Sequence, residues 1–186
     1  MVFEPAHIPR LFASRQFDSV ISGIHACLES GTDDYAVHPN WAVWLAVCHY
    51  FKSEFSEAID CYNNALRLDP NIVQAHISLA HIHSCCPDAK FHDSTAAIRH
   101  ARRACEISKW ANWLALQSLA TSYMREGDFA SALGIAQKSM ELTTVSQRRR
   151  VDALLECISK KRPFVAFVDE DFDKLFDTWS PNESGG

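Results

Sequence analysis

An all-α solenoid of stacked helix-turn-helix units, closed by a C-terminal capping helix, is the fold this sequence predicts. Three observations carry that expectation. Segments beginning at Pro39, Val73 and Trp113 repeat one pattern, at spacings of 34 and 40 residues. Within each segment apolar and small residues recur at i, i+3, i+4 and i+7, which marks amphipathic helices. The pairs Leu45-Ala46, Leu79-Ala80 and Leu119-Ala120 are equivalent. So are Ala58, Ala97 and Ala132, each followed seven residues later by Ala65, Ala104 or Ser139. One such helix pair cannot bury its apolar face alone, so the units must stack to make a continuous core.

Taken in order, residues 1–38 read as a degenerate leading unit. Phe17, Val20, Ile24 and Cys27 form the stripe of its second helix, and Pro5 and Pro9 disturb a short first helix around Ile8 to Ser14. Residues 39–72 form the first full unit. Its turn is "SEFSEA", with Phe55 filling the corner between the helices. Residues 73–112 carry the extra length between their two helices, at "CCPDAKFHDS". Pro87 stops one helix there, and Asp93 or Ser94 caps the next. Residues 113–145 form the third unit, with the turn "EGDFASA" and Phe129 at its corner. Residues 146–162 are the capping helix, whose stripe of Val151, Leu154, Leu155 and Ile158 is backed by charge, as an exposed solenoid end requires. Pro163 ends it.

Composition narrows the function classes. At 47% hydrophobic and 22% charged, the 186 residues can bury a core. The longest strictly apolar run, Trp41 to Cys48, falls far short of the roughly 20 residues that span a bilayer. The first twelve residues lack the apolar region of a signal peptide. Seven cysteines without a C-x-x-C pattern read most simply as reduced thiols in a cytoplasmic setting. No Gly-rich phosphate loop and no G-x-S-x-G or H-E-x-x-H motif is present, so the expectation is a protein that is not an enzyme and holds no cofactor.

Charge is unevenly placed. Residues 1–163 balance 17 acids against 17 bases, so the net charge of -5 sits wholly in residues 164–186. There "FVDEDFDKLFDTW" sets Phe172, Leu175, Phe176 and Trp179 at i, i+3, i+4 and i+7, flanked by Asp169, Asp171, Asp173 and Asp177. Residues 163–186 are thus an acidic amphipathic tail, a form that docks into a groove. Its target is either this protein's own apolar face or another protein; the remaining reading is a disordered tail.

The repeated residues resemble the tetratricopeptide repeat. Leu45, Ala46, Ala58, Tyr62, Ala65 and Pro70 carry the resemblance in the first unit; Leu119, Ala120, Tyr123, Gly127, Ala132, Ala136 and Leu142 carry it in the third. His49 and His83 depart from the pattern's aromatic, and Thr144 from its final proline. The stretch "SCCPDAKFHDSTAAIRHARRACEISKW" also resembles a long-loop variant common in bacterial repeat proteins. The resemblance covers residues 39 to 144. It implies a right-handed superhelix whose concave surface, lined by the first helix of each unit, binds a peptide or helix of a protein partner. Trp44, Val47, Tyr50, Phe51, Ile77, His81, Gln117 and Met124 are the contact residues this implies. Each of these either faces the groove or packs between helices, because helix phase is not fixed by sequence. Family members that clamp chaperone C-terminal carboxylates use Lys, Asn and Arg where this chain has Val43, Val47, Ser78, Leu114 and Ser118, so that clamp is absent.

The function expected is therefore a non-catalytic protein-protein interaction scaffold. The main alternative is a tail-mediated binder or self-associating module, in which residues 169–179 dock to another protein or to a second copy. Two further readings are weaker. His76, His81, His83, Cys85, Cys86 and His92 lie close together in sequence, but they match no standard metal spacing. Arg148 to Arg150 with Lys160 to Arg162 form a basic helix without interleaved aromatics, so nucleic acid is not an expected partner.

Overall fold

The computed structural model describes residues 7–29 and 39–162, and every regular element among them is helical. The tail motif of Phe172, Leu175, Phe176 and Trp179 lies outside the described residues. The chain divides into two compact units, one running through Asp69 and the other beginning at Pro70.

The first unit contains α1 (Ile8–Ala13), α2 (Phe17–Glu29), α3 (Pro39–Phe51) and α4 (Phe55–Leu68). Pro9 stands in the first turn of α1, where its missing N–H costs nothing. Arg15 takes the left-handed conformation (φ 55°) and lets the chain reverse into α2, which buries Val20 and Ile24. Helix α3 is buried at every position from Trp41 to Cys48, because α2 and α4 both pack against it. Ser53 (φ 63°) makes the tight turn into α4. Lys52 joins Asp18 of α2 (2.7 Å) and Glu54 (2.9 Å), while His49 Nδ1 lies 2.7 Å from Glu54.

The second unit contains α5 (Val73–Cys85), α6 (Ser94–Ile107), α7 (Trp113–Glu126), α8 (Phe129–Leu142) and α9 (Val145–Ser159). Helices α5 and α6 form one antiparallel pair and α7 and α8 another; α7 packs on both α5 and α6, and α9 on α8 and α7. Sequence-adjacent helices stacking in this serial way make a short helical solenoid.

Caps set the helix starts. Asp93 accepts from Ala96 N–H (2.9 Å), Asn112 from Leu114 and Ala115 N–H (2.9 and 3.1 Å), and Asp128 from Ser131 N–H (3.0 Å). At α9 the Gln147 side chain accepts from Thr144 N–H (2.9 Å), the return half of a capping box. Gly127 ends α7 in the left-handed conformation (φ 87°), and Asp128 N–H reaches back to the Tyr123 carbonyl (2.9 Å). The capping helix stops at Ser159 rather than at Pro163, closed by Lys161 (φ 48°) and a bond from Arg162 N–H to the Cys157 carbonyl (2.9 Å).

One packing device recurs. Fully buried residues stand at i, i+4 and i+7 on α4 (Ala58, Tyr62, Ala65), α6 (Ala97, Ala101, Ala104) and α8 (Ala132, Ala136, Ser139). Eight of these nine are Ala or Ser, so paired helices approach closely. Ser139 also donates its hydroxyl to the Trp113 carbonyl (2.8 Å), tying α8 to the first turn of α7.

Candidate partner-binding site

In the first unit the contact residues expected from sequence all lie on α3. Val47 is fully buried, Trp44 and Tyr50 are nearly so, and Phe51 is partly exposed. Their rings join a wider aromatic cluster. Phe12 meets Trp44 and Phe51 edge-on at 5.4 Å in both cases, and Phe17 stacks on Phe51 at 5.4 Å. Tyr50 meets Phe51 at 5.8 Å and the corner residue Phe55 at 5.6 Å. Offset and edge-on ring pairs of this kind add roughly 0.5–1.5 kcal/mol each beyond their area. These aromatics therefore knit α1, α2, α3 and α4 together. Phe12 and Phe17 bring α1 and α2 into this cluster, and of the two only Phe17 belongs to a periodic apolar stripe in the sequence.

In the second unit Ile77 and His81 lie on α5, and Gln117 and Met124 on α7. Ile77, Gln117 and Met124 are buried and His81 is partly exposed. The amide of Gln117 stands out. It is 3% exposed, and neither Nε2 nor Oε1 has a hydrogen-bond partner. A buried polar group left unsatisfied costs about 1–3 kcal/mol. Burial, and then the positive charge of Arg150 on α9, pushes His81 down to about 4. Arg150 is itself buried, a placement nothing in the run of three arginines announced.

The histidine-rich stretch resolves into separate structural roles. Since a carbonyl only accepts, His76 donates from Nε2 to the Pro70 carbonyl (3.2 Å), which leaves its Nδ1 to accept from His100 Nδ1–H (3.0 Å). His83 Nδ1 donates to the Phe91 carbonyl (3.0 Å), His92 Nε2 donates to the Cys86 carbonyl (2.7 Å), and Asp93 N–H returns to the His83 carbonyl (3.0 Å). These three bonds fasten the long loop, with its 3-10 turn Ala89–Phe91, onto the end of α5. Among the described residues no three His, Cys, Asp or Glu side chains gather as a metal would need. Ser84 and Cys85 contact each other at 3.3 Å on α5.

None of the seven cysteines is in a disulfide. Burial pushes Cys48 and Cys105 up to about 12 and Cys61 up to about 11. No described helix is long and apolar enough to cross a membrane.

Residues 43–72, which run through most of α3, all of α4 and the chain to Ile72, match the family model described as Tetratricopeptide repeat. The chain carries a tetratricopeptide repeat. Ala58, Tyr62 and Ala65, the buried triplet of α4, lie within that repeat. The triplets of α6 and α8 reproduce its spacing. No curated protein matches the chain. Tetratricopeptide repeats are non-catalytic modules for protein-protein interaction.

The depressed histidines give stability a pH dependence of definite sign. His81 and His100 are held near 4, and His76 is lowered as well, each chiefly by burial, against an ordinary value of 6.5. Below 6.5 the unfolded chain takes up protons that the folded chain refuses. Stability is therefore fully present above about pH 6.5 and falls towards pH 4, by up to about 1.4 kcal/mol per pH unit for each of His81 and His100. Urea midpoints should drop between pH 7 and pH 5, with a shallower drop in His100→Gln. A flat or rising midpoint over that range contradicts the assignment.

Proposed function

We propose that the protein is a non-catalytic interaction scaffold that holds an extended or helical segment of a partner protein. Contact residues are contributed by α3 in the first unit and by α5 and α7 in the second. The match of residues 43–72 to the tetratricopeptide repeat carries this reading. The lack of Lys and Arg at Val43, Val47, Ser78, Leu114 and Ser118 argues against a free C-terminal carboxylate as the ligand. The long loop fits the bacterial variant that its sequence resembles, and a cytoplasmic location agrees with seven cysteines outside any disulfide.

A photo-crosslinking residue placed at Phe51 or at His81, both partly exposed, tests the reading. The expected result is one shared crosslinked partner from both positions, and none from exposed Ala130. Equal crosslinking from Ala130 contradicts it. The tail reading is separated by repeating the experiment with a chain ending at Arg162. A partner captured only by the full chain assigns binding to Phe172, Leu175, Phe176 and Trp179. A partner captured only by the shortened chain indicates a contact face that the tail occupies.

A further inference from the structure

Away from those contact residues, the outer side of α6 borders an open recess of about 590 Å³. Thr95, Arg99, Arg102, Arg103 and Glu106 line it from α6, and they share one face because they fall at i, i+4, i+7, i+8 and i+11. His76, Ile98 and His100 complete the lining. Two of the three guanidinium groups are held in place. Arg102 donates to the Tyr123 hydroxyl (2.8 Å) and Arg103 to Asn71 Oδ1 (2.9 Å). Glu106 lies 3.6 Å from Arg103 and is the one carboxylate in the lining. The Arg99 guanidinium has no hydrogen bond or salt bridge to any described residue.

Three guanidinium groups against one carboxylate leave two positive charges facing the recess. The histidines add none, because burial together with Arg99 and Arg103 keeps His76 neutral, and burial, His76 and Arg99 keep His100 neutral. The tautomers follow from the bonding already given. His100 donates from Nδ1, so its Nε2 keeps a lone pair and becomes a donor once protonated.

We propose that this recess binds a phosphate monoester dianion. One carboxylate would balance half of the excess charge, whereas a phosphate monoester carries about -1.5 to -2 at neutral pH and offers three acceptor oxygens. Planar guanidinium forks fit those oxygens through paired N–H donors. Arg99 supplies the free fork, Arg102 and Arg103 supply pre-positioned charge, and the Thr95 hydroxyl lies one turn before Arg99. The phosphate is either that of a free small molecule or one carried on a phosphorylated peptide.

Calorimetric titration of the full chain at about 150 mM salt tests this. The probes are phenyl phosphate, a phosphoserine hexapeptide and the same hexapeptide unphosphorylated. The expected result is saturable 1:1 binding of at least one phosphorylated probe, weakened at least tenfold in Arg99→Ala and in Arg99→Gln. Arg99 is exposed, so neither variant disturbs the fold, and unchanged circular dichroism checks that. Lys138→Ala, a charge removed from α8, should bind as the parent does. Tighter binding of phenyl phosphate identifies a free ligand, and tighter binding of the phosphopeptide identifies a carried one. Absence of saturable binding, equal binding of the unphosphorylated peptide, or parental affinity in both Arg99 variants overturns the proposal.

Discussion

Leu79→Ala should lower the unfolding free energy by about 2–5 kcal/mol, the range for truncating a buried leucine. Leu79 is fully buried on α5, which packs against both α6 and α7. The cost has two parts: lost transfer of the removed carbons from water, and a cavity that rigid helix pairs close only in part. Leu133→Ala on α8 provides the comparison. Leu133 is 41% exposed, so its truncation should cost less than about 0.5 kcal/mol. Urea unfolding followed by circular dichroism measures both. Equal effects at the two positions would contradict the packing described for α5.

Ala132→Leu should be destabilising by about 1–3 kcal/mol although it adds apolar surface. Ala132 is fully buried at the first position of the α8 triplet, on the helix paired with α7. The added carbons have no space unless the helices separate, which also strains the Ser139 hydroxyl bond to the Trp113 carbonyl. Ala130→Leu, two residues away on the exposed side of the same helix, should be close to neutral because both residues favour helix. A thermal melt separates the pair by several degrees, since about 1 kcal/mol shifts the midpoint of a chain this size by about 2–4 °C. If Ala132→Leu melts with the parent, close approach of α7 and α8 is not what that alanine secures.

The helical repeat was legible because its determinants are local. Small residues at fixed spacing, Leu-Ala pairs and an Asp before "STAAI" act through backbone geometry within one or two turns. All of Ala58, Ala65, Ala97, Ala104, Ala132 and Ser139 are fully buried as their spacing implies. The contact face was less legible, and α3 explains why. "WAVWLAVC" is apolar on every side of the helix, so nothing in the pattern says which side meets a partner and which meets a neighbouring helix. Trp44, Tyr50 and Phe51 turn out to be engaged with Phe12, Phe17 and Phe55. The histidines were harder still. Whether His83 or His92 binds a metal or a carbonyl depends on where a loop returns, and only tertiary structure sets that. The bare amide of Gln117 and the buried position of Arg150 leave no local trace at all.

The buried thiols carry a consequence for how the molecule breathes. Cys48 on α3 and Cys105 on α6 are fully enclosed and protonated at any ordinary pH, so a thiol reagent reaches them only when their helices part. One belongs to the unit ending at Asp69 and the other to the unit starting at Pro70. Their modification rates thus form two natural clocks on one chain, set without adding a label. Clocks that keep the same time mean that the two halves open as a single cooperative body. Clocks that differ mean that one half opens while the other stays shut.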